Sequence, residues 1–169
     1  FTLTLRDGTR GYGEASASLA LAHLRPARLA RVLAGLGRWV RGKDAAAPRP
    51  LVEAAWKRHS QEGPAAAAFE CALLDAWTRA QGLSLASWFG GMRREIRSDI
   101  TLSAWTDDRL TTEAAAEAAA EGFRIFKVKV GGDFADDIAR RRLVWKTARR
   151  VRPSFILDGN QGLSTASAL

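Results

Sequence analysis

Two lysines stand two residues apart in an apolar run, RIFKVKVGGD at residues 124–133, and an acid closes the next apolar run, SFILDGNQG at residues 154–162. Side chains alternate along a strand, so Ile125, Lys127 and Lys129 share one face while Phe126, Val128 and Val130 share the other. If the apolar face packs on helices, the lysine face looks into a sheet-built interior near the strand's C-terminal end, where parallel barrels keep their active sites. Two ammoniums about 6.5 to 7 Å apart repel each other and lose solvation there, which favours a neutral amine able to act as a base near neutral pH. The alternative is an edge strand whose lysines point to water and block aggregation. Asp158 ends its own strand at the point where a barrel presents a metal ligand, and Asn160 reaches the same mouth. The alternative there is an ordinary turn, because Asp-Gly and Asn-Gln-Gly are turn chemistry.

The elements that must position these groups are legible as alternating strands and helices. DITLSAW, RIFKVKV and SFILDGNQG read as strands. TEAAAEAAAEGF, ended by Gly122, and DDIARRRLVWKTARRV read as the helices between them, the second with Ile138, Val144, Ala148 and Val151 partly periodic. Ser164 is placed to cap a further helix. Such alternation predicts βαβ units and a parallel sheet.

Upstream, FTLTL, the Asp7-Gly8 turn and TRGYGEAS read as a hairpin. Leu29, Val32, Leu33, Leu36 and Val40 predict a helix over residues 24–41, weakened by Gly35 and Gly37. KDAAAPRP reads as a loop, followed by a short helix over residues 51–59. Pro64 opens a stronger helix with Phe69, Leu73, Ala76, Trp77 and Ala80 as its stripe and Gly82 as its stop. LSLASWFGGMRREI reads as an irregular connection. The fold class is therefore α/β: residues 1–97 form an α+β domain, and residues 98–169 open a parallel barrel. A barrel needs eight such units, so the expectation is an incomplete one, cut at both ends.

Composition narrows the classes. Hydrophobic residues make up 47% and charged residues 26%, the balance of a chain that builds a core. No apolar stretch approaches the roughly 20 residues that span a bilayer, and no signal peptide is visible. Cys71 is the single cysteine, which excludes an internal disulfide, and the expected compartment is the cytoplasm. His23 and His59 form no local metal pair and read as surface or half-buried residues. The net charge of +8 raises the question of nucleic acid. Only five of the 26 basic residues are lysine, and the arginines are spread along the chain rather than interleaved with exposed aromatics, so a solvated basic surface is expected. GYGEAS lacks the strand-to-helix glycine pattern of a dinucleotide site, and Gly131-Gly132 reads as a turn rather than an anion site. Glu70 and Asp75 read as structural or interfacial, and Trp105 either lines the pocket or packs.

FECALLDAWTRAQG…FGG, SDITLSAW, FRIFKVKVGGD and ILDGNQG, in that order, resemble the muconate-lactonizing branch of the enolase superfamily, closest to its dipeptide epimerases. The resemblance implies an α+β capping domain followed by a modified (β/α) barrel. It implies Lys129 as the acid/base on one face of a substrate α-carbon, and Lys127 beside it, facing the substrate carboxylate. It implies Asp158 as a Mg²⁺ ligand and Asn160 as a polar contact near metal and substrate. The superfamily's chemistry is a Lys or His base with Mg²⁺ stabilising the deprotonated carboxylate. The expected partner is a small molecule, a dipeptide or amino-acid derivative, and a homo-oligomer is expected. The family pattern has Ala and Trp where this chain has Gly159 and Leu163. It also draws further acidic ligands and a second lysine from later strands, so residues 1–169 alone are expected to be inactive.

Three readings follow. The first is a Mg²⁺-dependent epimerase or racemase, with muconate-type cycloisomerisation and o-succinylbenzoate synthesis as alternatives on the same fold. The second is a basic module using RRRLVWKTARR on nucleic acid. The third is a piece without a function of its own.

Overall fold

The computed structural model describes residues 1–17, 24–91, 95–104, 107–160 and 162–168. His23 and Trp105, on which sequence expectations fall, lie outside the described residues. The chain divides into two compact units, Phe1–Arg94 and Glu95–Leu169.

In the first unit, β1 (Thr2–Thr4) and β2 (Arg10–Tyr12) form the antiparallel hairpin. Gly8 holds a φ of +89° in its turn, and the Asp7 carboxylate accepts from the Thr9 amide at 2.9 Å. Three helices follow: α1 (Pro26–Val40), α2 (Pro48–Arg58) and α3 (Gly63–Ala80). Gly35 and Gly37 do not interrupt α1, whose Leu29 and Leu36 are buried. The prolines expected in a loop instead begin α2, since the first turn of a helix needs no N–H from them. A one-turn helix, α4 (Leu85–Trp88), occupies part of the stretch read as irregular. Ser84 caps it by accepting from the Ser87 amide at 3.1 Å.

α3 is the centre of this unit. Phe69, Leu73 and Ala76 are fully buried as the stripe predicts, whereas Trp77 is half-buried and Ala80 exposed. Ala68, Ala72 and Ala76, four apart, make a flat track along one side. Gly11 and Gly13 of the hairpin lie on it. A Cβ built on Gly11 would stand 2.1 Å from the Ala72 carbonyl oxygen, and one on Gly13 would stand 1.8 Å from that of Ala68. GYG is therefore a close-approach motif, not a ligand loop. Glu70 accepts from the Trp56 indole at 2.7 Å, and Asp75 accepts from the Tyr12 amide at 3.1 Å and from Arg79 at 2.8 Å, so both acids are structural. His59 is half-buried, its Nδ1 3.5 Å from Glu62.

The second unit is a three-stranded parallel sheet in the order β3 (Ile100–Leu102), β4 (Ile125–Lys129), β5 (Ser154–Asp158). α5 (Asp108–Ala120) and α6 (Phe134–Ala148) supply the crossovers, and a short α7 (Thr165–Ala168) follows Ser164. Aspartates cap both longer helices: Asp107 accepts from the Arg109 amide, and Asp133 from those of Ala135 and Asp136. Phe126 and Val128 of β4 are fully buried in a core with Leu102, Ala115, Ala118, Val144 and Ala148. The α/β class with an opening parallel sheet thus stands. Ile156 and Leu157 of β5 remain 45% and 58% exposed.

Candidate active site

The register of the sheet assembles the chemistry. Lys127 pairs with Ile156 and Lys129 with Asp158 across β4 and β5, and registered side chains of adjacent strands point to one face. That face is opposite the helix-packed one, because burial alternates along β4: Lys127 stands between the buried Phe126 and Val128, and Lys129 follows Val128 at the strand end. The lysines therefore do not lie on a strand edge facing bulk water; their side chains are 30% and 26% exposed, and that of Asp158 is 28% exposed.

Both ammoniums address one oxygen. Lys129 Nζ donates to Asp158 Oδ2 at 2.6 Å, and Lys127 Nζ lies 3.8 Å from the same atom. Lys129 Nζ also donates to Asn160 Oδ1 at 3.0 Å. Asp158 Oδ1 accepts from the Asn160 amide at 3.0 Å, with Asn160 in the left-handed region at φ 44°. The structure thus brings all four residues singled out by the sequence into one cluster. The hydrogen bond from Lys129, joined by the Asn160 amide, holds the Asp158 carboxyl below its ordinary range. The repulsion expected between the lysines is offset by the carboxylate they share.

The fit to a hard divalent cation is partial. Asp158 is an oxygen donor to which positive charge is already drawn, the type Mg²⁺ takes. Among the described residues, no three His, Cys, Asp or Glu side chains group to hold a metal, so these residues contribute one carboxylate.

The two departures from the family pattern meet each other. A Cβ on Gly159 would stand 2.8 Å from Leu163 Cδ1, so glycine at 159 makes room for leucine at 163. The turn also closes through the Gly162 amide, which donates to the Gly159 carbonyl at 2.7 Å.

Sequence reasoning did not find Asp137 and Arg140, which contact the backbone of this site from α6. Arg140 Nη1 donates to the Lys129 carbonyl at 3.1 Å and to Asp137 Oδ1 at 2.8 Å. The Gly131 amide donates to Asp137 Oδ2 at 2.8 Å, so this glycine turn uses its N–H on the protein itself. Burial pushes the Asp137 carboxyl up, but the Gly131 amide and the Arg140 guanidinium outweigh it and hold it low. The signal was present as an acid and a base three apart in the first turns of a helix. Arg141 lies 4.9 Å over the Phe155 ring, so Arg140 and Arg141, both within the RRRLVWKTARR stretch considered for nucleic acid, serve internal contacts. No helix among the described residues is long and apolar enough to cross a membrane.

Residues 1–90 match the family described as mandelate racemase / muconate lactonizing enzyme, N-terminal domain, and residues 110–169 match the enolase C-terminal domain-like family. An aromatic dipeptide epimerase of Herpetosiphon aurantiacus is 34% identical over 169 residues, covering 98% of this chain and 46% of that protein. An L-Ala-D/L-Glu epimerase of Thermotoga maritima is 29% identical, covering 99% of this chain and 47% of that protein. A dipeptide epimerase of Cytophaga hutchinsonii, solved with Mg and the dipeptide D-Ala-L-Val, superposes with a TM-score of 0.86 at 26% identity, over 99% of this chain and 45% of that one. The chain spans about half the length of these relatives.

Proposed function

The chain belongs to the mandelate racemase / muconate lactonizing enzyme family, and on that premise we propose that it forms part of a Mg²⁺-dependent dipeptide epimerase. The observation that carries the reading is the convergence of Lys127, Lys129, Asp158 and Asn160 on one face at the C-terminal ends of adjacent strands. The names of the curated relatives support epimerisation over cycloisomerisation or dehydration.

A proton α to a carboxylate is a weak acid, because its removal places a second negative charge on one group. Mg²⁺, when bound, offsets that charge. Asp158 is the ligand this chain offers it. Lys129 Nζ, once it has shed its own proton, takes the α-proton and returns it when the reaction runs the other way. Lys127 lies beside it, facing the substrate carboxylate. Asn160 Oδ1 orients the Lys129 amine, holding it aligned between turnovers. Inversion requires a second acid on the opposite substrate face, which the described cluster does not contain.

The test is a dipeptide panel incubated with a polypeptide carrying these residues within a full-length barrel. Inversion at one α-carbon, abolished by a chelator and restored by Mg²⁺, supports the reading. Absence of inversion across the panel with metal present would overturn it.

A further inference from the structure

We infer that Asp137 and Arg140 are positioning residues for Lys129, gripping the backbone on both sides of Val130. The inference rests on Lys129 being the acid/base, but its test does not depend on turnover.

The Val130 amide donates to the Asp158 carbonyl at 3.1 Å, so that N–H points to β5. The Lys129 carbonyl, by the alternation of a parallel ladder, faces the β3 side. There β3 has already ended, its last pair being Leu102 with Val128. Arg140 Nη1 takes the place of a ladder donor to that carbonyl, and Asp137 ties the same guanidinium to the Gly131 amide. Gly131 turns the chain out of the strand at φ +110°, a conformation that glycine adopts readily and that leaves the strand end free to swing unless held.

The Asp137 and Arg140 side chains are 12% and 13% exposed, so the pair is turned mostly inward. A buried ion pair is a weak net stabiliser compared with apolar packing. Its return here is geometric. Lys129 carries its Nζ at the end of a long flexible stem, and a misplacement of about 1 Å at a reacting atom costs on the order of 100-fold in rate.

The first measurement is amide hydrogen exchange on the 169-residue chain. Gly131 should exchange roughly tenfold or more slowly than the same amide in an unstructured peptide. An unprotected Gly131 overturns the clamp without any variant. The second is lysine labelling by an amine-reactive reagent at fixed pH, read by mass spectrometry as the Lys129-to-Lys127 ratio, with exposed Lys146 as reference. In Asp137→Ala and Arg140→Ala the ratio should rise roughly tenfold, while Asp137→Asn, which keeps an acceptor for the Gly131 amide, should stay nearer the wild type. An unchanged ratio, or an equal rise at all three lysines, overturns the positioning role. Should the alanine variants fail to fold, the wild-type exchange rate of Gly131 decides. A protected Gly131 in a protein that never exchanges a substrate α-proton would sink the epimerase reading and leave the clamp standing.

Discussion

Lys129 and Asp158 sit opposite each other in register across β4 and β5, and the ammonium donates to the carboxylate at 2.6 Å. Twenty-nine residues and a whole crossover helix separate them in the chain. The parallel sheet alone makes them neighbours, so the site exists only while β4 and β5 stay paired.

That dependence sets an acid limb. The Asp158 and Asp137 carboxyls are held below their ordinary value of 3.8, and Glu62, gripped by Arg28, is held below 4.5. A carboxyl depressed in the folded state stabilises fully above its unfolded value and loses that contribution as pH falls through the folded one. Melting temperatures should therefore carry no loss from these three groups above about pH 5 and fall below about pH 4. Asp158→Asn should flatten part of that fall, which thermal melts between pH 2 and 6 will register.

Glycine substitutions separate two kinds of close contact. Gly11→Ala drives its methyl into the α3 backbone at Ala72 and Ala76, and should cost about 1–3 kcal/mol or more. Gly159→Ala meets only the movable end of Leu163, and should cost under about 1.5 kcal/mol. Urea denaturation of the two variants tests the order; equal losses would mean that the hairpin can lift from α3.

Metal dependence follows from one carboxylate. Residues 1–169 alone should show no turnover, because one acid ligand does not hold Mg²⁺ with useful affinity. Within a full-length barrel, Asp158→Asn should weaken Mg²⁺ roughly tenfold or more, read by titrating activity against metal. Turnover by the 169-residue chain would contradict this.

The chemistry-bearing residues were legible because strand alternation is a period of two and the acid ends its run where turn residues begin. The helix of α2 was not fully legible: prolines that break a helix interior are welcome in its first turn, and Pro48 and Pro50 sit there. GYG carried its meaning only in three dimensions, since nothing local says that an alanine track on α3 will press against it. Asp137 and Arg140 escaped notice because a charged pair near a helix start usually faces water, and only the end of β3 short of Lys129 gives it a backbone carbonyl to hold.

The most direct test follows α-proton exchange of an accepted dipeptide in D₂O by NMR, using a full-length barrel that carries these residues, with Mg²⁺ present. Wild-type protein should place deuterium at one α-carbon, and for the epimer whose α-proton faces Lys129, Lys129→Ala should slow that exchange by about 10²–10⁴-fold while the fold is retained. Exchange of that epimer that survives at the wild-type rate without the Lys129 amine would contradict the account.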